Sequence, residues 1–189
     1  MAVTSQDVAN QAILDIGGNQ PLVTGQNPTW DNSTVGKALQ KLYTPAVQAV
    51  GRQFGWDFSR NLVTLTLSGN PANLLWTYEY LYPSNGVQVW QLIPGTIADA
   101  NDPLPTNWLT GNTLVGSVQT KVIWSNVANA MAYYANNPTE ATWDPGFREA
   151  VVRLLASELA MATSGKPDVA EAMLQSGAAF EKIAEGRAD

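Results

Sequence analysis

The hydrophobic period of this chain changes twice, and that limits the folds open to it. Between Thr4 and Phe54 apolar residues recur at three- and four-residue spacing; from about Asn61 they alternate; around Val127 to Tyr134 the helical spacing returns. Neither the helices before the strands nor those after them can bury an apolar stripe alone, so the two ends of the chain must pack together. This predicts an α+β fold: a helical bundle formed by the N- and C-terminal helices, with an inserted antiparallel β region. The expected division is residues 1–59 and 126–189 for the bundle and 60–125 for the insertion. A length of 189 residues suits one domain carrying such an insertion.

The element boundaries are well marked. A first helix is predicted from Thr4 to Ile16. Thr4 and Asp7 supply a capping start, Val8, Ala9, Ala12, Ile13 and Ile16 an apolar face, and Gly17-Gly18 a stop. A polar loop with Pro21 and Pro28 follows. The second helix runs from about Asn32 to Phe54, and Pro45 inside it should kink it or split it after Lys41. Strands are expected at Leu62–Leu67, Trp76–Tyr82 and Val87–Ile93, the last two joined by the turn Pro83-Ser84-Asn85-Gly86. Two more lie near Thr113–Val115 and Val118–Trp124, either side of Gly116, after a loop at 101–105. Trp143-Asp144-Pro145-Gly146-Phe147 then opens a helix reaching about Thr163. Asp144 is placed as its N-cap and Pro145 at the first helical position, where a missing N–H costs nothing. Phe147, Val151, Leu154, Leu155, Leu159 and Ala162 form its stripe, with Ala150, Ala156 and Ala160 beside it to admit a close neighbour. A last helix spans about Asp168 to Glu185.

Composition narrows the chemistry. The chain has no cysteine, so it has no disulfide and no thiol chemistry, and no histidine, the commonest general base and metal ligand. No cofactor or metal site is indicated, and no enzymatic activity is expected. Charged residues make up 14% of the chain against a usual value of about 25%, which suits a secreted protein or one that covers much of its surface with partners. The net charge of −6 disfavours gripping nucleic acid, although an acidic wall lets a polyanion slide past. The N-terminal residues show no signal-peptide pattern and no stretch matches a membrane span, so synthesis in the cytosol without membrane association is expected.

Three segments in order resemble the head–tail adaptors of short-tailed phages, the tail tubular protein A family. They are the first helix ending in Ile16-Gly17-Gly18, the aromatic strand Trp76-Thr77-Tyr78-Glu79-Tyr80-Leu81-Tyr82-Pro83, and Trp143-Asp144-Pro145-Gly146-Phe147 leading into Leu154-Leu155-Ala156-Ser157-Glu158-Leu159-Ala160. The resemblance implies a virion protein made in the host cytoplasm. Its copies would form a homo-oligomeric ring, usually twelve-fold, between the portal protein and the tail nozzle or next tail protein. Double-stranded DNA would pass through the lumen without specific binding, during retention and ejection. The bundle would then be the portal-facing body, with ring contacts from the helices around 32–54 and 144–163, and the insertion would face the tail. The family carries no catalytic residues to transfer. Two departures stand out: the turn after the tyrosine-proline strand is Ser84-Asn85-Gly86, where the family usually has Asp or a cysteine-bearing turn with a basic residue, and the chain ends at Arg187-Ala188-Asp189, where many relatives extend a tail into the portal.

Candidate contact residues are Trp56, Trp76, Tyr78, Tyr80, Trp90 and Trp108, because aromatics left exposed on an insertion need a partner to cover them. The aromatic strand also suits stacking on sugar faces. This keeps open a reading from another class: a tail-associated carbohydrate-binding or peptidoglycan-hydrolysing module. A glycosidase would need two carboxylates at a set separation, and the candidates are Glu79, Asp144, Glu149 and Glu158. Lys37, Lys41, Arg52 and Arg60 form a thin basic strip that would reach DNA or an acidic partner ring; with at most four cations, a protein contact or simple solvation is preferred. Gly165-Lys166 lacks the upstream glycines of a phosphate loop and reads as a turn.

Overall fold

The computed structural model describes residues 2–17, 21–53, 56–70, 75–95, 107–137, 139–164, 168, 170–172 and 174–176. The fold is α+β, and the chain divides into two compact units: Met1–Phe58 with Pro138–Asp189, and Ser59–Asn137 between them. No helix among the described residues is long and apolar enough to cross a membrane.

The helical unit is built on α1 (Ser5–Ile16), α2 (Thr34–Gln53) and α3 (Pro145–Leu159), with α3 packed against both of the others. Thr4 caps α1 through a reciprocal box: the Asp7 N–H donates to Thr4 Oγ1 and the Thr4 N–H to Asp7 Oδ2. The Thr4 hydroxyl and amide hold the Asp7 carboxyl below its ordinary value. Asp144 caps α3 by accepting from the Gly146 N–H at 2.7 Å, with Pro145 at the start of the helix. Val8, Ala9, Ala12 and Ile13 of α1 meet a face of α3 formed by Phe147, Ala150, Val151, Leu155, Ala156 and Leu159, all of them buried. The alanines keep the facing surfaces shallow, so the backbones can approach. Phe147 makes edge-on contacts with Trp143, Phe58 and Trp56, at ring-centroid distances of 4.9, 5.1 and 5.2 Å.

Three expectations for this unit change. The loop after α1 contains a small hairpin, β1 (Gly25–Gln26) and β2 (Thr29–Trp30), which places Trp30 against Tyr43. The second helix is one continuous element through Pro45 and is not split after Lys41. Burial of Leu39, Tyr43, Ala46, Val47 and Val50 on both sides of the proline offsets the missing hydrogen bond. Ala162 is exposed, because the chain widens into a π-turn at Ala160–Ser164 that shifts later side chains off the buried stripe. Of the last helix, the described positions between 168 and 176 are helical and Ala170 is buried; 177–185, the Gly165-Lys166 turn and the 101–105 loop lie outside the described residues.

Asp31 ties the small hairpin to the start of α2. It accepts from the Thr24 N–H at 2.7 Å and the Ser33 N–H at 3.0 Å, and from both hydroxyls. Ser33 Oγ in turn accepts from the Gly36 N–H at 2.9 Å. A Cβ at Gly36 would collide with the Asp31 carbonyl oxygen, so glycine is required by close approach alone.

The inserted unit is a sandwich of two three-stranded antiparallel sheets. One has the order β3 (Arg60–Thr64), β8 (Met131–Asn136), β5 (Gly86–Ile93); the other has β4 (Tyr78–Leu81), β7 (Val118–Ser125), β6 (Trp108–Val115). After β3 the chain switches sheets. Leu65 still donates to the Ala130 carbonyl, but Leu81 donates to the Thr66 carbonyl and Ser68 to the Glu79 carbonyl, which stitches 66–68 onto the edge of β4. Between the sheets lie Leu65, Tyr80, Val89, Leu92, Ile123, Ala132 and Tyr134. The Tyr80 hydroxyl donates to the Val127 carbonyl at 2.6 Å and accepts from the Ala130 N–H at 3.3 Å.

The expected return of helix at Val127–Tyr134 is corrected: this segment leads into β8, the central strand of its sheet. Val127, Ala130, Met131 and Tyr134 imitate helical spacing, but Ala132 and Tyr134 point into the sandwich while Tyr133 faces out, which is a period of two. Pairing on both edges decides the conformation, and the insertion therefore ends at Asn137 and not at 125.

Two outcomes check this description. Phe147→Ala should lower unfolding free energy in urea by about 3–5 kcal/mol; a loss below about 1 kcal/mol would show that the aromatic cluster does not organise the unit. The four hydrogen bonds hold the Asp31 carboxyl down to about 2. A depressed folded value adds stability above the unfolded value of about 3.9 that disappears as pH falls through the folded value. Asp31→Asn should thus be less stable than wild type at pH 7, the gap closing between about pH 4 and pH 2; a pH-independent gap would mean the charge is not what matters.

Candidate functional site

Three of the four candidate carboxylates, Glu79, Asp144 and Glu149, have structural partners. Glu79, only 7% exposed, accepts from Ser68 Oγ at 2.7 Å and Asn70 Nδ2 at 2.8 Å on one oxygen, and from the Trp124 indole N–H at 2.7 Å on the other. Burial alone would raise its pKa, but donation by Ser68, Trp124 and Asn70 outweighs that and holds it below the ordinary carboxylate value. An ionised, saturated carboxylate cannot serve as a general acid. It fixes the loop after β3 to β4 and orients Trp124, whose ring lies over Gly111 where a Cβ would overlap it.

Asp144 and Glu149 follow the same pattern and Glu158 does not, one of its oxygens being buried without a hydrogen-bond partner among the described residues. Asp144 caps α3. Glu149 pairs with Arg153 at 2.8 Å, and Arg153 reaches Asp15 at 3.2 Å, which clamps α3 to α1. Glu158 is half-buried, and burial raises its pKa. Glu149 and Glu158 stand nine residues apart on one helix, about 13 Å along its axis, beyond the roughly 6.5–9.5 Å of an inverting pair. Among the described residues, no group of three or more His, Cys, Asp or Glu could hold a metal ion.

Of the six aromatic candidates, two are corrected. Trp56 is buried in the helical core and donates its indole N–H to the Val50 carbonyl at 3.1 Å. Tyr80 is 1% exposed in the sandwich core. Both satisfy apolar interiors of their own chain, which periodicity alone does not distinguish from an interface. Trp76, Tyr78, Trp90 and Trp108 are part-exposed. Tyr78 stacks on Tyr80, and both Tyr78 and Trp108 pack against the sandwich core. Trp90 sits at a bulge in β5, its buried indole N–H lacking an acceptor.

Most of the exposed large apolar side chains among the described residues are aliphatic. On the β6–β7 hairpin Leu109, Leu114 and Val118 are 52%, 63% and 66% exposed. The hairpin closes through Gly116-Ser117, with Gly116 at φ 63°. The alternation of Leu114 with Val115 carried the signal, but nothing in it says which face meets water.

The basic strip divides. Lys37, Lys41 and Arg52 lie exposed along α2, while Arg60 opens β3 in the sandwich. An open groove of about 810 Å³ in the helical unit is lined by residues including Thr4, Asp7, Gln11, Gln26, Arg148 and Glu149. Asp7 and Glu149 are already committed there, to the cap and to Arg153.

Neither a protein-family model nor a curated protein sequence matches the chain.

Glu79→Gln should cost about 1–3 kcal/mol, because an amide N–H₂ must face one of three donors. Urea unfolding followed by Trp fluorescence measures this; an unchanged midpoint would remove Glu79 as the organiser of this sheet.

Proposed function

We propose that this chain is a structural virion protein without enzymatic activity. As a head–tail adaptor, its copies form a ring joining the portal to the tail nozzle or next tail protein. The observation that carries the reading is the β6–β7 hairpin, which presents Leu109, Leu114 and Val118 to solvent. The register places Leu109 and Val118 on one face of the hairpin, at its two ends, and Leu114 on the other, and exposed apolar side chains of this kind suit protein docking. The order of segments that resembles the tail tubular protein A family supports the same reading. The acidic balance of the chain suits DNA passing through a lumen without being held there. In this arrangement the helical unit is the portal-facing body and the sandwich faces the tail.

A second reading, a tail-associated carbohydrate-binding or peptidoglycan-hydrolysing module, draws on the part-exposed Trp76, Tyr78 and Trp108.

Mass photometry of the chain mixed with its portal ring tests the first reading. The portal peak should grow by whole subunits and saturate near one per portal chain. No growth at micromolar concentration, together with peptidoglycan clearing abolished in Glu149→Gln or Glu158→Gln, would favour the second. Leu114→Asp combined with Val118→Asp, or Trp76→Ala, should weaken assembly with the next tail component while leaving circular dichroism unchanged. Wild-type assembly by these variants would acquit the residues concerned.

A further inference from the structure

We propose that the solvent face of α2 is one half of a head-to-tail contact between copies of this chain, the other half being Asp168 and Glu171 on the last helix. The proposal rests on the ring reading above and specifies its subunit contact.

Charge is segregated in the helical unit. The twenty residues of α2 include Lys37, Lys41 and Arg52 and no acid, although the whole chain holds 16 acids against 10 bases. At about 100° per residue the three cations fall within roughly 60° of arc, spread along about 22 Å of helix. Gln48 lies between them on the same arc. All three cations are exposed, and none makes an ion pair among the described residues. Lys37 and Lys41, four residues apart with no acid at three- or four-residue spacing, repel one another, and Arg52 extends the same face at longer range.

Among the acids of the described residues, Asp168 and Glu171 are the candidates for the complementary patch. Asp7, Asp15, Asp31, Glu140, Asp144 and Glu149 already accept hydrogen bonds or ion pairs within the chain. Asp57 is also partnered, and burial disfavours charge on Glu158. Asp168 and Glu171 are exposed and one helical turn apart, and Glu171 accepts only from the neutral Gln175 amide among the described residues. A ring requires two different patches on each subunit that fit one another. A basic ridge and an exposed acidic pair that makes no ion pair among the described residues meet that requirement. Duplex DNA is the weaker match, since three cations on a chain of net charge −6 neutralise few phosphates.

Charge exchange tests the contact. Self-association is measured by sedimentation velocity for wild type, for Lys37→Glu with Lys41→Glu, and for Asp168→Lys with Glu171→Lys. Each variant alone should associate at least about tenfold more weakly than wild type, and the equimolar mixture should recover through alternating subunits. Lys37→Gln with Lys41→Gln should fall between, and wild-type association should weaken as salt rises from about 0.05 M to about 0.5 M. Association unaffected by reversal, no recovery on mixing, or no wild-type association at low salt would overturn the contact. So would loss of binding to a 30-base-pair duplex in the lysine variants with assembly intact, which would make nucleic acid the partner. Normal addition of the charge variants to the portal ring would reject this contact and leave the adaptor reading standing; failure of wild type to add would reject both.

Discussion

Everything else in this molecule depends on Phe147 and the three rings around it. Trp56 and Phe58 immediately precede the inserted sandwich, and Trp143 and Phe147 come soon after it. The cluster therefore fixes, within the helical unit, the points where the chain leaves and returns. Closing a loop of Ser59–Asn137 carries an entropic cost that grows only slowly with length. A few buried aromatic contacts, each about 0.5–1.5 kcal/mol beyond area burial, are suited to offset it. With the ends fixed, the sandwich folds on its own core, and α3 lies down on α1 and α2 through its alanines.

Polar groups repeat this economy. Glu79 organises one sheet, Asp31 joins the small hairpin to α2, Asp144 starts α3, and Asp15, Arg153 and Glu149 clamp α3 to α1. Glu79, Asp144 and Glu149 are each explained by a donor in their own neighbourhood, while Glu158 is held with a raised pKa by burial. Among the described residues, the surface carries exposed aliphatic side chains, including those on the β6–β7 hairpin, cations along α2, and an exposed acidic pair on the last helix. That inventory is what a protein working through contacts needs, and it is the ground for the adaptor reading.

Three of the four tyrosine-strand positions illustrate how far pattern reading reaches. Tyr78, Tyr80 and Tyr82 do share a face, and that face is the sandwich core. Alternation set their direction but could not say whether the covering surface was the same chain or another. Trp56 failed for the same reason, its indole being satisfied by the Val50 carbonyl six residues earlier. Leu114 and Val118 were passed over because aliphatic residues in a strand look like core until the second sheet is found on the other side.

The sequence by itself determined the local events: the Thr4–Asp7 capping box, the Asp144-Pro145 start of α3, the Gly116 turn, and the order of helical and alternating periods that makes this an α+β chain with an insertion. These are encoded within a few residues, where backbone sterics and short-range hydrogen bonds act. Only the tertiary structure decided that 131–136 is a strand, that α2 runs on through Pro45, and that Glu79 is an ionised hub and not an acid catalyst. Each of those depends on partners distant in sequence: β3 and β5 on either edge of β8, α3 against α2, Ser68 and Trp124 around one carboxylate. Pairing, burial and desolvation act between segments that only folding brings together, and there they override local preference.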